Sequence, residues 1–154
     1  MNNNLKLHKA KVSEVNPLHE FELKCFDRPE DQFPGKNLKH LIESPTSLTY
    51  LLKNKNGKIV GEVIGLLRNF KIPSGRIYKI AVDPDIQTRG LGSMLLAEME
   101  TLFKRHGMQR SCAEVRQFNI ASRTMFLKNG YKETGFLPNY YENGENGLKY
   151  WKHL

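Results

Sequence analysis

Cysteine is scarce: the 154 residues hold only Cys25 and Cys112, far apart and without CxxC or Cys/His ligand spacing. A disulfide framework has no basis, no metal is expected, and both thiols are expected to be free. No apolar run approaches the length of a membrane-spanning helix, and 26% of residues are charged, so no membrane partner is expected. The start MNNNLKLHKAK lacks the hydrophobic stretch of a secretory signal, which makes the expected location cytoplasmic. Internal repeats and low-complexity segments are missing, as are zinc-finger spacings and an RNP-like aromatic cluster. Neither the GxxxxGK[ST] phosphate loop nor the GxGxxG dinucleotide turn occurs.

What is present suits one compact core. Hydrophobic residues make up 39% of the chain and aromatics 10%, so residues 1–154 are read as a single domain. The formal charge is +8, but its lysines and arginines are scattered along the chain. A solvated basic surface explains this better than dedicated nucleic-acid binding, and nucleic acid is not the expected substrate. A phosphate-rich cofactor would also suit such a surface.

Periodicity gives the order of elements. Leu5–Val12 alternates as a strand, Pro17–Phe26 carries Leu18, Phe21 and Cys25 at helical spacing, and a short helix covers Asn37–Ile42 before Pro45. Ser47–Lys53 and Lys58–Leu67 read as strands joined at Asn54-Lys55-Asn56-Gly57, whose Asn-Gly pair can supply the positive backbone angles of a tight hairpin. Arg76–Val82 is a further strand, and Leu91, Leu95, Met99 and Leu102 mark a helix through Ser93–Arg105 that Gly107 ends. A strand at Ser111–Val115, a helix from an Asn119 cap to Gly130, and terminal strands at Thr134–Leu137 and Gly147–Trp151 complete the set. The order predicts an α/β (α+β) layer structure whose sheet is antiparallel at the hairpin and parallel across the central strand–helix–strand crossover.

Gln87-Thr88-Arg89-Gly90-Leu91-Gly92 lies between a predicted strand and a predicted amphipathic helix. Unpaired amides and the positive end of the helix dipole make such a start suited to anions, and Arg89 adds a charge. By spacing alone, a plain helix-entry turn fits the two glycines equally well.

The longer run Ile80-Ala81-Val82-Asp83-Pro84-Asp85-Ile86-Gln87-Thr88-Arg89-Gly90-Leu91-Gly92 resembles motif A of the GNAT superfamily of N-acetyltransferases, whose signature is Gln/Arg-x-x-Gly-x-Gly/Ala after such a strand. Ala113-Glu114-Val115-Arg116, Asn119, Asn129-Gly130-Tyr131 and Asn139-Tyr140-Tyr141 follow in the order of the ribosomal-protein N-alanine (RimI-type) members. The resemblance implies a GNAT fold, a mixed sheet of six or seven strands flanked by about four helices, and acetyl-CoA as cosubstrate. It implies that the sheet splays between the Arg76–Val82 and Ser111–Val115 strands. By similarity, Ile80, Ala81 and Val82 border the pantetheine arm, with the Ile80 and Val82 amides bonding it. Gln87, Thr88, Arg89, Gly90, Leu91, Gly92 and Ser93 would hold the diphosphate. Asn119 would reach the pantetheine region, a role compatible with capping a helix.

Acetyl transfer needs a neutral amine, a polarised thioester and a stabilised thiolate. An α-amine with a pKa of about 7.8 loses only about 1 kcal/mol to be neutral at pH 7, whereas a lysine near 10.4 requires roughly 4 to 5 kcal/mol. A modest base therefore favours protein N-termini. Glu114 matches the catalytic glutamate of the resemblance; otherwise a strand glutamate is a solvated or ion-paired residue, and Arg116 shares its face. Phe126 occupies a cofactor-side position where relatives often carry a proton-donating tyrosine, so either solvent and the helix field serve the thiolate, or Tyr140 or Tyr141 supplies the hydroxyl, or the enzyme is impaired. The pair Tyr140-Tyr141 also reads as a substrate clamp, and Tyr131 as core. The expected acceptor is a protein or peptide N-terminus, a ribosomal protein's among the candidates. The alternatives are a small amine such as a polyamine or amino-sugar, or a non-catalytic CoA- or polyanion-binding module; a monomer or a dimer is compatible with the sequence.

Overall fold

The lone glutamate in the apolar run Ile59-Val60-Gly61-Glu62-Val63-Ile64 lies in the middle of the sheet in the computed structural model, which describes residues 4–86 and 90–154. The elements are β1 (Lys6–Lys9), α1 (Val15–Cys25), α2 (Gly35–Glu43), β2 (Ser47–Lys53), β3 (Ile59–Arg68), β4 (Ser74–Val82), α3 (Leu91–Arg105), β5 (Arg110–Arg116), α4 (Ile120–Lys128), β6 (Lys132–Leu137) and β7 (Gly147–His153), with short 3-10 turns at Val12–Glu14 and Pro29–Asp31. Gln87, Thr88 and Arg89, expected at the diphosphate, lie outside the described residues.

The seven strands form one mixed sheet in the order β1-β2-β3-β4-β5-β7-β6. The hairpins β2–β3 and β3–β4 are antiparallel and β4–β5 is the parallel crossover pair, as the element order predicts. β3 is buried from Ile59 to Gly65, the continuous pattern of a strand covered on both faces. One face packs on α3 and α4 through residues such as Leu95, Met99, Phe103 and Phe126; the other packs on α1 and α2 through Leu18, Phe21 and Leu38. Leu91, Leu95, Met99 and Leu102, picked out by helical spacing, all point into the first core.

The β4–β5 ladder spans three pairs, Ser74↔Arg110, Gly75↔Ser111 and Arg76↔Cys112, and then stops. Two features lie beside the opening. Tyr78 is an extra residue in β4, between Gly65↔Ile77 and Ile64↔Lys79, and such a bulge bends its strand. The Phe103 ring packs against Gly65 and Gly75: a Cβ on Gly75 would meet it at 2.3 Å, and one on Gly65 at 2.6 Å.

Three expectations are corrected. The first strand ends at Lys9 rather than Val12, because the chain turns where the Glu14 carboxylate accepts from the Lys11 amide at 2.9 Å. The first helix begins at Val15, with Pro17 in its first turn, where the missing N–H is harmless. In the hairpin loop Gly57 alone takes positive φ, +80°, while the Asn54 side chain accepts from the amides of Asn56 and Lys58, both at 3.0 Å. An Asx-type turn thus replaces the tight two-residue one.

Glu14 also joins β1 to β2 through His8 (3.1 Å) and Lys53 (2.5 Å). Burial alone would raise its pKa, but the bonds from Lys53, the Lys11 amide and His8 outweigh it and bring it down to about 2. A depressed acid stabilises the fold above its unfolded pKa and loses that contribution as pH falls through the folded one. Glu14→Gln is therefore expected to lower stability at pH 7 and to flatten the stability–pH curve between about pH 4.5 and about pH 2, as urea unfolding across that range would measure.

Candidate active site

Hydrogen-bond phase along β4 decides what the open junction presents. The Asp83 amide donates to the Val60 carbonyl at 2.9 Å, and with the register Glu62↔Ala81 this makes Asp83 and Ala81 the residues bonded to β3. Antiparallel pairing alternates, so the backbone groups of Ile80 and Val82 face away from β3, toward the side where the β5 ladder has ended. An extended ligand bearing amides can add to such an edge in the manner of a strand. Ala81 turns its side chain into the α1–α2 core.

The helix start lies just beyond β4. Gly90 caps α3 at φ +84°, a conformation that favours glycine. The first intrahelical bond is donated by Met94 to the Gly90 carbonyl (2.9 Å), which leaves the Leu91, Gly92 and Ser93 amides ahead of the ladder. The Leu91 side chain is core; a Cβ on Gly92 would approach Met125 Sδ to 3.2 Å, so glycine keeps α3 and α4 close. The Ser93 hydroxyl accepts from Asn129 Nδ2 at 2.9 Å, tying the start of α3 to the end of α4. Amides along β4 followed by a helix N-terminus fit a pantetheine arm ending in phosphates, on chemical type as well as order.

A cleft of about 620 Å³ runs along the junction, bounded by Ile77–Ile80, Ala113–Arg116 and the Tyr140-Tyr141 loop. Glu114 Oε2 accepts from Arg76 Nε at 3.2 Å, Tyr140 donates to Glu114 Oε1 at 3.3 Å, and Arg76 Nη2 reaches the Tyr140 hydroxyl at 3.5 Å. The partner of Glu114 is thus Arg76, not Arg116. Burial and the Glu114 charge raise the Tyr140 pKa, so its phenol keeps a proton to donate. Tyr141 packs edge-on against Tyr140 at 5.0 Å and covers Arg116 at 4.1 Å; burial pushes its phenol up to about 12. Arg116 in turn binds Asp31 (2.9 Å) and Glu145 (3.2 Å), and Arg28 binds Glu145 (2.7 Å), joining the α1–α2 loop to the Tyr140-Tyr141 loop.

Phe126 lines the same cleft yet is 4% exposed, packed against Tyr131 (5.0 Å) and Tyr150 (5.8 Å). Tyr131 is core, with its hydroxyl donating to Glu100 Oε2 at 2.7 Å and within hydrogen-bond distance of Ser111 Oγ at 2.6 Å. Asn119 caps α4 by accepting the Ser122 amide at 3.1 Å and also lines the cleft. Arg76, Arg28, Asp31 and Glu145 were not singled out from sequence, since each acts through a partner at least 29 residues away. Among the described residues, no group of three or more His, Cys, Asp or Glu is placed to hold a metal, and no helix is long and apolar enough to cross a membrane.

This splayed mixed sheet is shared with N-acetyltransferases. The crystal structure of the ribosomal-protein-S18-alanine N-acetyltransferase from Escherichia coli superposes with a TM-score of 0.82, covering 97% of this chain and 93% of that one at 22% identity, a likeness of fold. The chain belongs to the acetyltransferase (GNAT) family, whose model matches residues 15–131. It is 36% identical over 69 residues to the ribosomal protein bS18 alanine N-acetyltransferase of Salmonella typhimurium, covering 45% of this chain. An uncharacterised N-acetyltransferase of Methanocaldococcus jannaschii is 30% identical over 94 residues, 60% of this chain. The matched segments span 47% and 58% of these two curated relatives' lengths.

Proposed function

We propose that residues 1–154 act as one domain that transfers an acetyl group from acetyl-CoA to a primary amine, a protein N-terminal α-amine, by direct attack in a ternary complex. One observation carries this reading: the carboxylate of Glu114, bonded to Tyr140 and Arg76, opens on a cleft beside the free β4 edge. The relative whose name specifies a ribosomal-protein alanine supports an N-terminal acceptor, a ribosomal protein among the candidates.

The thioester supplies an activated acetyl group, and the chain supplies the proton traffic. Glu114, ion-paired with Arg76, takes a proton from the incoming ammonium directly or through water. The freed nitrogen lone pair forms the bond to the acetyl carbon, and as the carbon–sulfur bond breaks the nitrogen gives up its second proton to solvent, leaving the neutral amide. Tyr140 gives its proton to the departing sulfur, a task that Phe126 has no group to perform, and regains one from solvent. The clamp of Tyr141, Arg116 and Asp31 borders the space for the first residues of the acceptor.

A small polycation is the second reading, favoured by the charge of the cleft. Its four bases Arg28, Arg76, Lys79 and Arg116 are all ion-paired, whereas Asp27, Glu30 and Glu142 carry no ion pair among the described residues. The wall is thus acidic in a chain of +8. Incubation with acetyl-CoA and a panel of N-terminal peptides with spermidine in competition, read by mass spectrometry, is expected to yield α-acetylated peptide. Spermidine acetylation with no modified α-amine would replace the first reading by the second.

A further inference from the structure

Beneath the β4 wall of the cleft lies a buried charge cluster that the transfer chemistry does not use. Glu62 of β3 and Glu22 of α1 are both 0% exposed. No donor among the described residues reaches either oxygen of Glu62 or Oε2 of Glu22, and the two carboxyls are buried neighbours. Two ionised carboxylates are acceptors only, so this contact requires that one retain its proton. Glu22 Oε1 already accepts from Lys79 Nζ at 2.8 Å and from the Phe33 amide at 2.7 Å, whereas neither oxygen of Glu62 has a donor among the described residues. The proton therefore belongs to Glu62, whose carboxyl is pushed up by burial and then by the Glu22 charge. The cluster then sums to zero: neutral Glu62, anionic Glu22, cationic Lys79.

The Lys79 ammonium has further work. It donates to the Asp31 carbonyl at 2.6 Å and lies 3.3 Å from the centre of the Phe33 ring and 4.7 Å from that of Phe26. Phe26, Asp31 and Phe33 of the α1–α2 segment are thus all held on this one cluster, and all three line the cleft.

We propose that Glu62 is a positioning residue of the acceptor wall: as a neutral acid that donates to Glu22, it fixes Lys79 and thereby the 26–33 segment against which the acceptor packs. The acceptor role rests on the function proposed above; the proton location does not. The groups facing Glu62 are Glu22 and Cys25 from α1 and Lys79 from β4, and burial pushes the Cys25 thiol up to about 12, so it stays neutral. As pH rises and Glu62 ionises, two buried carboxylates repel and the segment loosens.

The full chain, Glu62→Gln and Glu62→Leu would be compared by infrared spectroscopy, amide exchange at Phe33 and steady-state kinetics. The expected wild-type spectrum holds a buried protonated-carboxyl band at pH 7 that Glu62→Gln removes. The Gln amide can still donate to Glu22, so Phe33 protection and the acceptor KM stay within about twofold of wild type, whereas Glu62→Leu weakens both by about tenfold and leaves the KM for acetyl-CoA unchanged. Raising pH should lower Phe33 protection in wild type and not in Glu62→Gln, a comparison that decides the matter if the Leu variant does not fold. Absence of the band, or Phe33 protection insensitive to both pH and Glu62→Leu, overturns the proposal, whether or not an acceptor has been found. A Gln variant as impaired as Leu overturns it too.

Discussion

Glu114→Gln is expected to lower kcat for acetyl transfer by about 10²- to 10⁴-fold, the usual contribution of a positioned general base, while the KM for acetyl-CoA changes little. Glutamine is close in shape and can still meet the Tyr140 hydroxyl, so the loop that carries Tyr140 and Tyr141 should stay in place. What is lost is the acceptor for the amine proton. The effect should shrink as pH rises toward the amine's own pKa, because more of the acceptor then arrives neutral. Thiol release followed from pH 6.5 to pH 9 with an N-terminal peptide measures both kcat and its pH dependence. Equal rates for wild type and variant across that range would remove Glu114 from the chemistry and return it to the role of an ion-pair partner for Arg76.

The largest stability effect is expected at Gly75→Ala, a single added methyl. Its Cβ would sit 2.3 Å from the Phe103 ring, which is 0% exposed and packs close to Gly65 as well, so the buried ring cannot yield toward solvent. Overpacking of this kind destabilises by about 1–3 kcal/mol, and we place Gly75 at the upper end because the clash falls on a rigid aromatic in mid-sheet. For a chain of this size that is a fall in melting temperature of roughly 4–12 °C. Phe103→Leu combined with Gly75→Ala should recover part of the loss, since the smaller side chain vacates the contested space. A double-mutant cycle by thermal unfolding tests this, and strictly additive losses would show that the ring is not the cause.

How far the sequence was legible depended on distance along the chain. Helix α3 was readable because its apolar positions repeat every turn and Gly107 ends it at φ +79°. Asn119 was readable as a cap because its partner is three residues away. The three-pair ladder that opens the sheet was not, since it is a matter of pairing between strands far apart in the chain, beside a bulge at Tyr78. Resemblance pointed to Glu114, but local reasoning paired it with Arg116. The nearer arginine proved to be Arg76, 38 residues upstream and beside Glu114 only once β4 and β5 are neighbours. Glu62 is the clearest case: a charged letter in an apolar run, whose neutral state becomes readable only when Glu22 is brought against it.

The placement of β7 between β5 and β6 has a consequence for assembly. β6 pairs with β7, which follows it in the chain, so β6 has no strand to dock on when it first emerges during synthesis. The loop bearing Tyr140 and Tyr141 connects these two strands and is drawn across the cleft when β7 lies down beside β5 through seven residue pairs, Arg110↔His153 to Arg116↔Gly147. The donor-side half, β4 to α3, is complete in sequence well before that. A growing chain therefore completes its acceptor side last, and an interrupted one exposes the β5 edge in place of a finished clamp.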